Sequence, residues 1–260
     1  WRGDGREGFY TSHLVTGTGR HSQDGPYGAA TGRPFVSRTV ADCMILENRI
    51  WREWIVADPL AVLLQVGVDA DAHAEGLARQ RLAAGQVSID IGETRRLLGQ
   101  HPPEAEPDLS LAHDEAEAEV LRWLHDVWNR RMLGRIRDVY HSNCQYHGPL
   151  MAELYGNAAV THQTLGLLAS IPDAIFMPQH VCSVQSEEGG RKVAVRWVIE
   201  GHHLGHGVLR HLGEPSGARL QVMGMSHFHI QDGKVRDEWR VYDELSLMVQ
   251  AKLAAMGGRG

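Results

Sequence analysis

Hydrophobic and polar positions along the chain alternate with two different periods. Over residues 115–131, Val120, Leu121, Leu124, Val127 and Trp128 fall on one helical stripe. Ile136–Tyr140 reads as a second short helix, and Tyr146-His147-Gly148-Pro149 as a turn or strand end. Ala158–Ser170 reads as a third helix, with Val160, Leu165, Leu167 and Leu168 available to one face and Ile171-Pro172-Asp173 as its stop. Beyond it the period drops to two. Ile175–Val184 is extended, residues 186–190 turn, and Lys192–His203 is a strand rich in β-branched and aromatic residues. A glycine-rich loop runs to Gly217. Arg219–Gln231 and Lys234–Tyr242 then form a hairpin closed by Asp232-Gly233, a pair suited to a type I′ turn. Glu244–Met256 is a closing helix. Helices followed by a mainly antiparallel sheet predict an α+β fold, with the helices on one face of a curved sheet.

Part of this pattern occurs twice. Glu53-Trp54-Ile55-Val56-Ala57-Asp58 recurs as Glu238-Trp239-Arg240-Val241-Tyr242-Asp243, 185 positions later. The same ungapped offset aligns Ile45 with Ile230, Gly32 with Gly217, His21 with His206, Thr18 with His203, Leu60 with Leu245 and Gln65 with Gln250. The first copy repeats the hairpin at Arg38–Leu46 and Arg49–Val56. A repeat this long predicts two copies of one domain rather than a short-period solenoid. The expected division is 1–68 for the end of a first copy, 69–114 for a linker and 115–260 for a complete second copy. In the linker, Ala74–Ala84 reads as helical and His101-Pro102-Pro103-Glu104-Ala105-Glu106-Pro107 as a stiff spacer. The first copy lacks the helices that open the second, so its sheet face would be bare. The chain is therefore expected to be a fragment of a longer tandem protein, with Trp1 not its native start.

Bulk composition narrows the partners. Of the 260 residues 43% are hydrophobic and 22% charged, with a net charge of −6. These are globular values and supply no electrostatic attraction for nucleic acid or an anionic membrane. No apolar run is long enough to span a bilayer. Cys43, Cys144 and Cys182 are odd in number and widely spaced, which fits a reducing cytoplasm better than a disulfide framework. Residues 201–207 lack the phosphate-loop pattern, and neither a G-x-S-x-G elbow nor a cysteine nucleophile motif is present.

The order helix, His147-Gly148-Pro149, Ile171-Pro172-Asp173, Val193-Ala194-Val195-Arg196-Trp197, Gly217, Asp232-Gly233-Lys234-Val235, Glu238-Trp239 and Asp243 resembles the SnoaL-like polyketide cyclases of the nuclear-transport-factor-2-like superfamily. The resemblance spans roughly 115–250 in full and 5–67 in part, where Thr31-Gly32-Arg33 and Glu53-Trp54 through Asp58 match. It implies a cone-shaped, mostly antiparallel sheet with helices on its concave face. The implied pocket works without metal or organic cofactor on a small hydrophobic carbonyl compound. An aspartate ending the last strand acts as general acid/base in ring closure: Asp243 here, with Asp58 its first-copy counterpart. The histidines matching the assisting positions are His147 and His203. The superfamily often pairs through the outer sheet face, which implies an internal pseudo-dimer or a homodimer.

Strict alternation places Val235, Asp237, Trp239, Val241 and Asp243 on one strand face. Burial among Trp239 and Val241 would raise the pKa of Asp243 into a useful range. The plainer alternative is that Asp243 caps the following helix. Trp197, Trp239 and Val241 are the expected apolar wall, completed by Leu245 and Met248, while Trp54 and Trp239 also read as core packing. Glu238 falls on the opposite face, at a sheet contact or in solvent. His227 and His229 share that outer face, and hairpin pairing sets Glu238 opposite His227. Those three form a candidate Fe, Mn or Zn set against the metal-free reading. The expected activity is cyclisation or isomerisation of a polyketide-like or other hydrophobic carbonyl compound. A hydrolase or dehydratase in the same pocket, and a non-catalytic binding or dimerisation module, stay open.

Overall fold

The structure, a computed structural model, describes residues 2–3, 8–86 and 103–257. Residues 1 and 4–7 of the expected first copy, 87–102 of the expected linker and 258–260 of the expected second copy lie outside the described residues. The elements are β1 (Arg2–Gly3), β2 (Gly8–Arg20), β3 (Pro34–Leu46), β4 (Arg49–Ala57), α1 (Pro59–Val66), α2 (Ala70–Ala83), α3 (Glu115–Trp128), α4 (Arg135–Val139), β5 (Tyr140–His147), β6 (Glu153–Tyr155), α5 (Asn157–Ser170), β7 (Ile175–Gln185), β8 (Arg191–His202), β9 (Arg219–Gln231), β10 (Lys234–Tyr242) and α6 (Glu244–Ala255). They form an α+β fold with two sheets. The first has strand order β1-β2-β3-β4, and the second β6-β5-β10-β9-β8-β7. β5 runs parallel to β10, so the second sheet is mixed. Sequence reading missed β5 and β6. The helical stretch ends at Val139, and Tyr140–His147 is a strand at whose end Gly148 and Pro149 turn the chain. No described helix is long and apolar enough to cross a membrane.

The two hairpins agree in detail at the 185-residue offset. β3 and β9, and β4 and β10, have equivalent bounds. Both turns sit in the left-handed region, Glu47-Asn48 at φ 48° and 61°, Asp232-Gly233 at φ 51° and 73°. Both carry a bulge at the same place. Ile45 pairs with Ile50 and Met44 with Arg52, skipping Trp51; Ile230 pairs with Val235 and His229 with Asp237, skipping Arg236. Ahead of the hairpins the register slips. His21 bonds through its N–H to Arg33 O and through its C=O to Gly32 N, as His203 does with Ala218 and Gly217. The structural counterpart of His203 is therefore His21, not Thr18. The loop from His203 to Gly217 is longer than the one from His21 to Gly32, and an ungapped offset cannot follow the difference.

The bulge also decides which side chains face which way. Each extra residue reverses the alternation beyond it. Val235 lies in the core beneath α3, α4 and α5, with Trp197, Phe228 and Tyr242. Past Arg236, Glu238, Arg240 and Tyr242 take over that helix-covered face. Trp239 and Val241 turn to the other face, against the first sheet, where Val40, Val56, Met225 and Val241 form a cluster joined by Leu14, Trp54 and Met223. This overturns the strict-alternation expectation for Trp239 and Val241, which line the contact between sheets. It also overturns the expectation for Glu238, which is 0% exposed inside the helix-covered core.

Polar contacts reinforce the sheet-on-sheet packing. Asp42 Oδ2 accepts from Arg196 Nε at 3.0 Å and lies 2.9 Å from His180 Nδ1. The Arg196 guanidinium sits 3.7 Å from the Trp54 ring centre. Ser12 Oγ and His227 Nε2 are 2.7 Å apart. To one side, α6 packs on α1 and α2 through Leu245, Met248, Val249, Leu253, Leu60, Leu63, Ala74 and Ala78.

Candidate functional site

A cavity of about 580 Å³ lies between α5, the 149–152 turn, the loop after β8 and the start of α6. Its apolar wall includes Pro149, Leu150, Leu165 and Val208, and its polar groups are His162, Gln163, Arg210, Tyr242 and Glu244. The glycine-rich loop presses directly on α5. A Cβ on Gly166 would sit 2.3 Å from Val208 Cγ1, and one on Gly207 1.9 Å from Gly166 O. Close packing, rather than phosphate binding, explains these glycines.

Tyr242 and Glu244 come from the inward face of β10 and its continuation into α6. The Tyr242 hydroxyl is hydrogen-bonded to Glu244; burial, with the Glu244 carboxylate nearby, holds it well above the ordinary phenol range. Glu244 is 5% exposed, and its Oε2 lies 3.1 Å from His211 Nε2. Behind this pair runs a buried polar network. Tyr140 donates to Glu238 Oε2 at 2.7 Å, and Arg240 Nε donates to Glu238 Oε1 at 2.8 Å. The Arg240 guanidinium lies 5.1 Å from Trp128 and 5.3 Å from Tyr146. Burying an acid and a base together is tolerable only when both are hydrogen-bonded, as here.

The residues singled out from sequence divide. Trp197 belongs to the helix-covered core, 6.0 Å from Tyr242 between ring centres, and donates from Nε1 to Ser226 Oγ at 3.1 Å. His203 is fully buried, with Nδ1 3.3 Å from Ser216 Oγ; burial first, then nearby His206 and His211, lowers its pKa. Its structural counterpart His21 repeats the contact, Nδ1 to Thr31 Oγ1 at 3.2 Å. Asp243 is flanked by two cavity-lining residues but is not itself on the cavity wall. It caps α6, accepting from Ser246 N at 2.8 Å, and burial raises its pKa. Asp58 caps α1 in the same way, from Ala61 N at 3.1 Å; burial, with Glu244 and Asp243 nearby, pushes it up to about 6. The capping role weighed from sequence for Asp243 is thus filled, and Asp58 fills the same role at the start of α1.

The remaining candidates lie elsewhere. His147 stacks on Trp239 at 4.8 Å, on the face toward the first sheet, and hydrogen-bonds Glu153. Trp54 packs under Arg196. Leu245 and Met248 face α1 and α2 instead of the cavity, and it is Leu247 that joins the helix-covered core. The alternative metal set does not assemble. Phe228, not His227, pairs with Glu238, and His229 lies 3.5 Å from Asp237 on the face opposite Glu238. Among the described residues no group of three or more His, Cys, Asp or Glu is placed to hold a metal ion. Sequence reasoning missed Tyr242 and Glu244. The available signal was the run Glu238, Arg240, Tyr242, Glu244, polar at every second position, which marks one face of a strand.

The SnoaL-like polyketide cyclase family matches residues 118–251, just over half of the chain. The chain belongs to that family. Solved structures similar to this SnoaL-like chain include TsrD from Streptomyces laurentii, 20% identical with a TM-score of 0.44, covering 54% of this chain and 98% of its own. IdmH from Streptomyces antibioticus is 19% identical with a TM-score of 0.42, covering 52% and 96%. AclR from Streptomyces galilaeus is 22% identical with a TM-score of 0.41, covering 49% and 78%. No curated protein matches the chain.

Proposed function

We propose that this SnoaL-like chain closes or rearranges a ring in a polyketide-like carbonyl compound by acid/base chemistry at the Tyr242–Glu244 end of the cavity. The observation that carries the reading is the buried, hydrogen-bonded pair of a carboxyl and a phenol on the wall of an otherwise largely apolar cavity. The cavity volume falls within the ~300–1,000 Å³ typical of small-molecule sites. Glu244 removes a proton from the carbon next to a substrate carbonyl. The enolate carbon attacks a second carbonyl carbon, and the proton returns from Glu244 to the new alkoxide, so no electrons are gained or lost. The Tyr242 hydroxyl stays protonated throughout and donates to the oxygen on which charge develops. Arg210 and His162 are placed to orient the polar end of the substrate.

We further propose that the chain is a tandem of two SnoaL-like units, divided near 1–68, 69–114 and 115–260, packed back to back as a pseudo-dimer of cone-shaped sheets. The shared bulges, turns and capping aspartates support this. Cys43, Cys144 and Cys182, none of them in a disulfide, fit a reducing compartment such as the cytoplasm.

The test uses an aryl β-keto ester in deuterated water, with α-proton exchange followed by NMR. Glu244→Gln should slow exchange about a hundredfold, within the ~10²–10⁴ range of a positioned acid/base group. Tyr242→Phe should slow it less. Full activity in Glu244→Gln with loss in Asp243→Asn would return the role to Asp243.

A further inference from the structure

The turn that walls the cavity is held from outside its own unit. Leu150 and Met151, neither of them glycine, both sit in the left-handed region at φ 56° and 58°. Such residues persist only where their surroundings over-determine them. Here the two ends of the turn are tied to the first sheet and its following helix. Arg38, 5% exposed on β3, donates from Nη1 to the Gly148 carbonyl at 3.0 Å, and from Nη2 to Glu153 Oε1 at 2.7 Å. Asp58, 2% exposed between β4 and α1, accepts the Leu150 N–H on Oδ2 while Oδ1 caps α1. Both carboxylate oxygens are thereby used, each on a backbone amide.

We infer that the first unit shapes the cavity of the second, with Asp58 and Arg38 as positioning residues that hold the Gly148–Met151 wall through its backbone. The inference rests on the cavity proposed above being the working site. Its chemistry is specific to the ionised carboxylate. Two N–H donors on two acceptor oxygens suit Asp58 when it is charged; a protonated carboxyl has to donate and leaves one amide poorly served. The groups that face Asp58 bias that balance. Asp243 and Glu244 at the start of α6 oppose its ionisation, and Tyr27 of the 21–33 loop stands beside Asp58 and Asp243. Arg81 of α2 acts on Asp243. The 149–151 turn offers a backbone amide and no charge. The wall is thus anchored more firmly as pH rises through the Asp58 titration near 6.

The test follows the Leu150 amide in the full chain labelled with ¹⁵N-leucine, its resonance assigned with Leu150→Ile. In the wild type the Leu150 proton should move downfield with a midpoint near 6. In Asp58→Ser, which keeps an N-cap oxygen for Ala61 but is too short to reach Leu150, that titration should vanish. Amide exchange at Leu150 should also quicken about tenfold, with Leu167 in α5 unchanged. A Leu150 amide that still titrates and exchanges slowly in Asp58→Ser overturns the inference. Should that variant not fold, Asp58→Asn supplies the same reading, because it keeps size and cap and loses the charge. In the exchange assay, Asp58→Ser should raise KM at least threefold with kcat little changed; a freed Leu150 with an unmoved KM also overturns the inference. The resonance needs no substrate, so failure of the Glu244 role and failure of the Leu150 tie are separate results.

Discussion

Glu53 and Glu238 occupy the same place in the two hairpins, two residues past equivalent bulges and just before a repeated tryptophan. Their surroundings have almost nothing in common. Glu238 is 0% exposed and takes hydrogen bonds from Tyr140 and Arg240. Glu53 is exposed and accepts from the Cys43 thiol at 3.3 Å; burial first, then this hydrogen bond, pushes that thiol up to about 11. The difference is cover. α3, α4 and α5 lie over the second sheet, whereas among the described residues the matching part of the first sheet leaves Val15, Ile50, Trp51 and Ile55 more than half exposed. Hairpin geometry is a local property of strand, turn and bulge. What a side chain contributes is set by the layer above it.

The sharpest way to break this comparison is to truncate both glutamates. Glu238→Ala strands the buried Arg240 guanidinium and should cost about 3–5 kcal/mol, whereas Glu53→Ala should stay within about 0.5 kcal/mol. Urea unfolding of the two variants decides it, and similar losses would mean the cover over the second sheet does not matter.

A smaller effect, in pH, separates the sheet contact from the helix junction. His227, between the sheets, is pushed by burial from 6.5 down to about 4. The stability tied to its neutral form is complete above pH 6.5 and drains as pH falls toward 4. Asp58, at the junction of α1 and α6, is raised from 3.8 to about 6, so its contribution is complete below 3.8 and drains as pH rises through 6. Each effect should be about 1–3 kcal/mol. Relative to wild type, His227→Gln should gain on the acid side and Asp58→Ser on the neutral side of a Tm–pH profile. A profile of one sign for both variants would contradict the assignment.

The smallest expected change is in the turns. Glu47 holds a left-handed conformation that glycine adopts freely, so Glu47→Gly should stabilise by roughly 0.5 kcal/mol in thermal melts. The matching turn at Asp232 already has Gly233 beside it, and Asp232→Gly should gain less.

Much of the architecture was legible in the order of residues. Alternation and the Asp232-Gly233 pair located β9 and β10 to the residue, and the 185-residue repeat located the matching hairpin, although β3 begins at Pro34 rather than Arg38 and β4 runs on to Ala57. Asp243 was legible as a helix cap because a cap depends on only four consecutive residues, and Asp58 at the 185-residue offset caps α1 likewise. Tyr140–His147 was not legible as a strand. It pairs in parallel with β10, nearly a hundred residues away, and its own alternation is short and mixed with polar residues.

By itself, then, the sequence determined the two hairpins with their turns, the Asp243 cap and the family. The tertiary structure alone decided which side of the last strand faces the cavity, so that Tyr242 and Glu244 line it while Asp243, Trp239 and Val241 do not. Side-chain parity along a strand reverses with a single bulged residue, and a bulge at Arg236 shows only when β9 is laid against β10. It alone also decided that Asp58 reaches Leu150. That contact joins positions far apart in the chain, and no local propensity encodes it.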